Sequence, residues 1–140
     1  MSAGYSGTPL VKKLGIKEGF RAALVGEPAG FRKELEGLPE RVSFVPSVQK
    51  DLDFVLFFTR SQSELLRNFP RLAVKLVPTG MLWIAWPKKA SGIPTDLSDS
   101  VVRQIGLDAG LVDVKVCAVN EVWSGLKFVI RVKDRSRLSM

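Results

Sequence analysis

Two short stretches of this chain are apolar at every position, Phe54-Val55-Leu56-Phe57-Phe58 and Met81-Leu82-Trp83-Ile84-Ala85-Trp86. A strand with one wet face alternates apolar and polar residues, whereas a strand covered on both faces does not. Coverage on both faces is the habit of parallel sheets flanked by helices, so these stretches predict two central strands. Ala22-Ala23-Leu24-Val25 is a third, shorter candidate. Between the two long stretches, Leu65, Leu66, Phe69, Leu72, Ala73, Leu76 and Val77 step by three and four, which predicts an amphipathic helix over 61–77. Strand, helix and strand together make a right-handed crossover. Pro78-Thr79-Gly80 is expected to end the helix and turn into the next strand, and Pro70 to kink the helix or split it near Phe69.

Around this unit the spacing predicts a helix over 30–38 on Phe31, Leu35 and Leu38. Another follows Thr95-Asp96 on Leu97, Val101, Val102 and Ile105, with Asp96 or Ser98 as cap and Gly106 or Gly110 near its end. The last quarter changes period. Val112, Val114, Val116, Ala118 and Val122 fall on one face, and Asp113, Lys115, Cys117 and Glu121 on the other. After a turn at Ser124-Gly125, Leu126, Phe128, Ile130 and Val132 alternate with Lys127, Val129, Arg131 and Lys133, predicting an antiparallel hairpin at the sheet edge. Val42-Ser43-Phe44-Val45 is also strand-like, but only 46–53 separate it from the next strand, too few for an ordinary parallel crossover. Its direction is left open by the residues. The fold expected is therefore α/β: a three-layer, Rossmann-like, mostly parallel sheet with a C-terminal antiparallel hairpin. One domain over 1–140 is expected, with a flexible arm over 1–9 and a flexible tail over 134–140.

No apolar stretch approaches the ~20 residues that cross a bilayer. The first residues, Met1-Ser2-Ala3-Gly4-Tyr5-Ser6-Gly7, lack the basic and apolar segments of a secretory leader, so a cytoplasmic location is the expectation. The single cysteine, Cys117, forms no internal disulfide. Net charge is +7, and five of the basic residues (Lys127, Arg131, Lys133, Arg135, Arg137) lie after position 126 against one acid, Asp134. That pattern, and the stripe Arg67, Arg71, Lys75, reads as solvated surface, and nucleic-acid binding would rest on charge alone without a recognition motif.

Chemistry is constrained by what is missing. The chain has no histidine, which removes the Ser-His-Asp and Cys-His arrangements, and one cysteine with scattered acids does not supply a zinc site, so no metal is expected. Open parallel sheets place ligands outside the carboxyl ends of their strands, where strand order reverses. That rule gathers Gly26-Glu27-Pro28-Ala29-Gly30, Thr59-Arg60-Ser61 and Pro87-Lys88-Lys89-Ala90-Ser91-Gly92. Gly26, Glu27, Gly30, Arg60, Ser61, Lys88 and Lys89 are the candidate binding residues. With cations and a helix start near Ser61, an anionic small molecule is the expected guest. The first loop matches neither the dinucleotide fingerprint nor the P-loop. Trp83 and Trp86 point to opposite faces by parity and are expected in the core.

The segments Gly4-Tyr5-Ser6-Gly7-Thr8-Pro9-Leu10, Lys12-Lys13-Leu14-Gly15-Ile16, Trp86-Pro87-Lys88-Lys89-Ala90-Ser91-Gly92 and Val122-Trp123-Ser124-Gly125-Leu126-Lys127 resemble a bacterial family of small domains of unknown function, best represented in actinobacteria. The resemblance implies a bacterial cytoplasmic protein and brings no activity with it. The element order, with Leu107-Asp108-Ala109-Gly110-Leu111 before the hairpin, is similar to the back half of class I S-adenosylmethionine methyltransferases. That likeness implies a glycine-rich loop after the first strand and an acid ending the second. Here the loop has only Gly26 and Gly30, and Val45 is followed by Pro46-Ser47. The chain therefore reads as a reduced relative without cofactor. The expectation is a non-catalytic binding or interaction module for an anionic small molecule or another protein, self-associating through an exposed 126–132 edge. A methyltransferase-like enzyme is the alternative and weak nucleic-acid binding the second alternative.

Overall fold

The structure, a computed structural model, describes residues 8–46 and 49–138. Six strands form one mixed sheet: β1 Arg21–Val25, β2 Ser43–Phe44, β3 Leu52–Phe58, β4 Leu76–Pro87, β5 Leu111–Ala118 and β6 Trp123–Ile130. Their order is β2-β1-β3-β4-β6-β5. The first four strands in space run parallel, and β6 joins β4 and β5 antiparallel. The open direction of Val42–Val45 is thereby decided, since β2 lies parallel to β1.

Both apolar stretches occupy the middle of the sheet, as their lack of alternation requires. Residues of β3 and β4 pack alternately into two layers. On one face Val55, Phe57, Leu82, Ile84 and Trp86 meet Leu65, Phe69 and Leu72 of α2 (Gln62–Ala73) and Val102 of α3 (Asp99–Asp108). On the other, Phe54, Leu56, Phe58, Met81 and Trp83 meet Leu10, Val11 and Leu14 of α1 (Leu10–Leu14), with Phe31 and Leu35. Trp83 and Trp86 fall on opposite faces and both are buried. The Trp83 indole N–H donates to the Leu14 carbonyl at 2.9 Å, fastening α1 to the sheet.

Several expected boundaries move, each for a local reason. Helix α2 stops at Ala73 because Leu52 N–H takes the Lys75 carbonyl at 2.9 Å and draws Leu76 into the sheet as a β4 residue. Pro78-Thr79-Gly80 lie inside β4 as an irregular excursion between the Leu52↔Leu76 and Phe54↔Met81 pairs, not as a turn. Pro70 does not split α2, which runs through it. The helix expected over 30–38 is one 3-10 turn, Phe31–Glu34, and Leu38 is exposed.

The hairpin turns at 119–122, because Asn120 Oδ1 accepts from the N–H groups of Val122 and Trp123. Ser124-Gly125 belongs to β6, where a Cβ on Gly125 would lie 3.2 Å from the Trp83 ring. In β5 a register shift between Asp113 and Lys115 breaks the alternation. Val112 stands opposite Val129 and Val116 opposite Leu126, so the two valines assigned to one face lie on different ones. The segment 126–132 is not an edge. β6 is flanked on both sides, β5 is the edge strand, and α4 (Val132–Leu138) takes up 134–138 of the expected tail, while 139–140 lie outside the described residues. Of the expected flexible arm, residues 1–7 lie outside the described residues and Pro9 is the N-cap of α1.

Gly106 of α3 faces the ring of fully buried Phe128, which packs edge-on against Phe69 with centroids 5.1 Å apart. A Cβ there would come within 2.0 Å of Phe128 Cε1. Gly106→Ala should lose about 1–2 kcal/mol in urea denaturation, because overpacking outweighs the ~1 kcal/mol that alanine ordinarily gains over glycine in a helix. Trp83→Phe should lose about 1–3 kcal/mol through the unpaired Leu14 carbonyl. Hydrogen exchange of the α1 amides should accelerate with it.

Candidate functional site

The chain leaves β1 toward β2 on one side and returns to β3 on the other, so strand order reverses between β1 and β3. In-register pairing of Val25 with Phe57 and of Phe58 with Ala85 brings the loops after β1, β3 and β4 to one end of the sheet. This is the switch-point crevice of an open α/β sheet.

The first wall is built by glycine. Gly26 has φ +69°, and a Cβ on it would stand 2.8 Å from the Phe58 carbonyl oxygen, so the β1 and β3 ends touch through backbone alone. Gly30, at φ +82°, leads into the 3-10 turn and sends Phe31 inward against Phe58, with centroids 4.8 Å apart. Phe58 in turn meets Trp123 at 5.1 Å. Arg32 lies 4.4 Å over the Phe44 ring, and Glu34 accepts from Asn120 Nδ2 at 3.1 Å. The floor on this face is therefore aromatic and its upper edge is tied to the hairpin turn. Glu27 is exposed and makes no hydrogen bond or ion pair among the described residues.

The second wall is the start of α2. Buried Thr59 donates its N–H to the Ala85 carbonyl at 2.9 Å and its hydroxyl to Glu64 Oε1, while its oxygen accepts from Ser61 N–H at 3.3 Å. Ser61 is the N-cap and accepts from Glu64 N–H at 3.2 Å. Asp96 closes the arrangement. Its Oδ1 accepts from Gln62 N–H at 2.8 Å and its carbonyl from Gln62 Nε2 at 2.8 Å, while Thr95 Oγ1 donates to the Arg60 carbonyl at 2.7 Å. A carboxylate of this same chain thus occupies the α2 N-terminus, where a foreign anion was expected. Helix α3 is capped by Ser98 alone, which frees Asp96 for this role.

The seven candidate residues therefore divide. Gly26, Gly30 and Ser61 are committed to backbone geometry and capping. Glu27, Arg60 and Lys89 are exposed around the mouth, and Lys88 is half-buried with its N–H given to the Val122 carbonyl at 2.8 Å. From sequence, Thr59 is only a loop residue and Asp96 only a candidate cap of the following helix, and Glu64 is not singled out. Ser61-Gln62-Ser63-Glu64 carries a capping-box signature that marks Glu64, but no local signal marks Thr59 for this role or joins Asp96 to a helix 34 residues earlier. Cys117 lies in β5 away from this crevice. Burial pushes its thiol up, Lys13 and Lys115 pulling weakly the other way, so it is a poor nucleophile. Among the described residues, no group of three or more His, Cys, Asp or Glu is placed to hold a metal ion, and no helix is long and apolar enough to cross a membrane.

No protein-family model matches this sequence, and no curated protein matches it. Solved structures do. A methyltransferase from Aquifex aeolicus described as S-adenosylmethionine-dependent is 19% identical with a TM-score of 0.60, over 87% of this chain and 88% of that one. The magnesium protoporphyrin IX methyltransferase of Synechocystis PCC 6803, solved with bound S-adenosylmethionine, is 12% identical with a TM-score of 0.56, over 87% and 74%. The precorrin-6y C5,15-methyltransferase of Geobacter metallireducens is 11% identical with a TM-score of 0.56, over 87% and 86%. At these identities the likeness establishes the fold: a Rossmann-like methyltransferase fold, mostly parallel with antiparallel C-terminal strands.

Because burial holds the Cys117 proton, iodoacetamide should alkylate this thiol with a pH midpoint above that of a free cysteine peptide. Mass spectrometry across a pH series reads the midpoint, and one at or below the peptide's would contradict the burial argument.

Proposed function

We propose that this domain is a methyltransferase-type protein that holds an S-adenosylmethionine-class nucleoside in the switch-point crevice. The observation that carries the reading is positional. A fold shared over nearly nine-tenths of the chain has its strand reversal between β1 and β3, and the loops there present a left-handed glycine turn and a carboxylate, Glu27, with no partner among the described residues. The competing view, a non-catalytic module for anions, loses its best anchor, because Asp96 already satisfies the α2 N-terminus.

The residues fit the nucleoside in a reduced way. The end of β2 offers Val45-Pro46 and no acid there, so among the described residues the carboxylate available for ribose hydroxyls or an amino group is Glu27, on the loop itself. The backbone of 26–30 supplies the remaining polar contacts, and half-buried Val25 and Val45 supply apolar surface. When bound, S-adenosylmethionine supplies an electrophilic methyl group on a sulfonium whose departure leaves a neutral thioether, so the cofactor carries the hard chemistry. The protein's task is to hold and orient both partners and to exclude water. That task does not require imidazole, and the lack of histidine weighs less against methyl transfer than against hydrolysis. Arg60, Lys88 and Lys89 around the mouth favour an acceptor that carries negative charge.

Titration calorimetry with S-adenosylmethionine and S-adenosylhomocysteine should give Kd values below about 100 µM, near −5.5 kcal/mol. Glu27→Gln should weaken both about tenfold by removing a charge-assisted acceptor. Absence of heat at millimolar nucleoside, with unshifted amide resonances over 26–30, would overturn the reading.

A further inference from the structure

A second cluster of unassigned groups lies on the α1 face, toward the opposite end of β1. Residues 15–19 lead into the first residue of β1, whereas the switch-point loop follows its last. Lys115 and Lys127 stand directly opposite each other across β5 and β6. Like charges in that position destabilise a strand pair unless something compensates. Lys115 Nζ finds the Lys13 carbonyl at 2.9 Å, and Lys13 Nζ the Ala118 carbonyl at 2.9 Å. Lys127 is half-buried and has no acceptor or ion pair among the described residues. Its Nζ lies 3.7 Å from where a Cβ on Gly15 would stand. Burial lowers its pKa, and Lys115 and Lys17 lower it further.

Gly15 and Lys17 also line a cavity of about 470 Å³, within the range of small-molecule sites. Its other walls are mostly apolar, from Pro9, Val11, Ile16 and Pro39, with Lys12 at hand. Among the described lining residues the one acid, Glu18, is paired with Arg41. The site thus joins apolar walls to an uncompensated positive charge, beside an ammonium already partly stripped of water.

We propose that this cavity binds a small organic anion, an apolar chain or ring bearing one terminal carboxylate or phosphate, with the oxyanion held by Lys17 and Lys127. An anion there relieves the repulsion between facing lysines, and the apolar part covers Ile16 and Pro39. The site is separate from the nucleoside crevice and does not depend on it.

Octanoate and octyl phosphate, titrated into the full chain by calorimetry, distinguish a carboxylate from a phosphate headgroup, and 1-octanol and inorganic phosphate serve as controls. At least one amphiphilic anion should bind at least tenfold tighter than either control. Lys17→Met and Lys127→Met should each weaken it at least tenfold, with unchanged urea midpoints for exposed Lys17→Met. Lysine side-chain NMR should show the Lys127 pKa rising on binding, a readout that apolar association alone would not move. Equal binding of 1-octanol, an equal response to inorganic phosphate, or full affinity in Lys17→Met would each overturn the proposal. S-adenosylmethionine binding should be the same in Lys17→Met and the unsubstituted protein, so failure of one site is distinguishable from failure of the other.

Discussion

Everything else in the fold is arranged around two strands that have no wet face. β3 and β4 are apolar on both sides, and leaving either side in water would forgo roughly 1.5–3 kcal/mol for each large side chain. Each face therefore needs its own cover. Helices α2 and α3 supply one, and α1 with the Phe31 turn supplies the other. A parallel pair also requires a crossover, so α2 is imposed by connectivity as well as by burial. The three layers follow from that single requirement.

The two covers are unequal. On the α2 face long helices pack closely enough that Gly106 must be bare beneath Phe128. On the other face a five-residue helix and a single 3-10 turn must cover the same length of sheet. They manage it through specific ties, the Trp83 hydrogen bond and the Phe31, Phe58 and Trp123 edge contacts. Short covers leave room, and the cavity beside α1 lies on this side, with Lys127 of β6 close to its lining residue Gly15. The crevice at the other end has its polar groups consumed internally except around the mouth.

The central strands, the crossover helix, the third helix and the terminal hairpin were legible because each depends on neighbours close in sequence. Phe54–Phe58 and Met81–Trp86 needed only their own composition, and α2 only its three-and-four spacing. Boundaries were less legible. Leu76 and Val77 continue the helical spacing of α2, but a backbone bond from Leu52 pulls them into a strand, and no local preference records that bond. The same holds for β5, where an inserted residue reverses the face of every later side chain while the alternation in the sequence runs on.

At the candidate site the division is sharper. Residue types and strand ends determined which loops frame the candidate crevice: Gly26, Glu27, Arg60, Lys88 and Lys89 come together at one end of the sheet because parallel strands in register must end together. Which of their groups remain free was decided only by tertiary structure. Asp96 satisfies α2, Glu64 satisfies Thr59, and Lys127 faces Lys115 with no acceptor among the described residues. Periodicity and propensity act over a few residues and are written locally, whereas a hydrogen bond or a repulsion between residues far apart in the chain exists only once the backbone has brought them within reach.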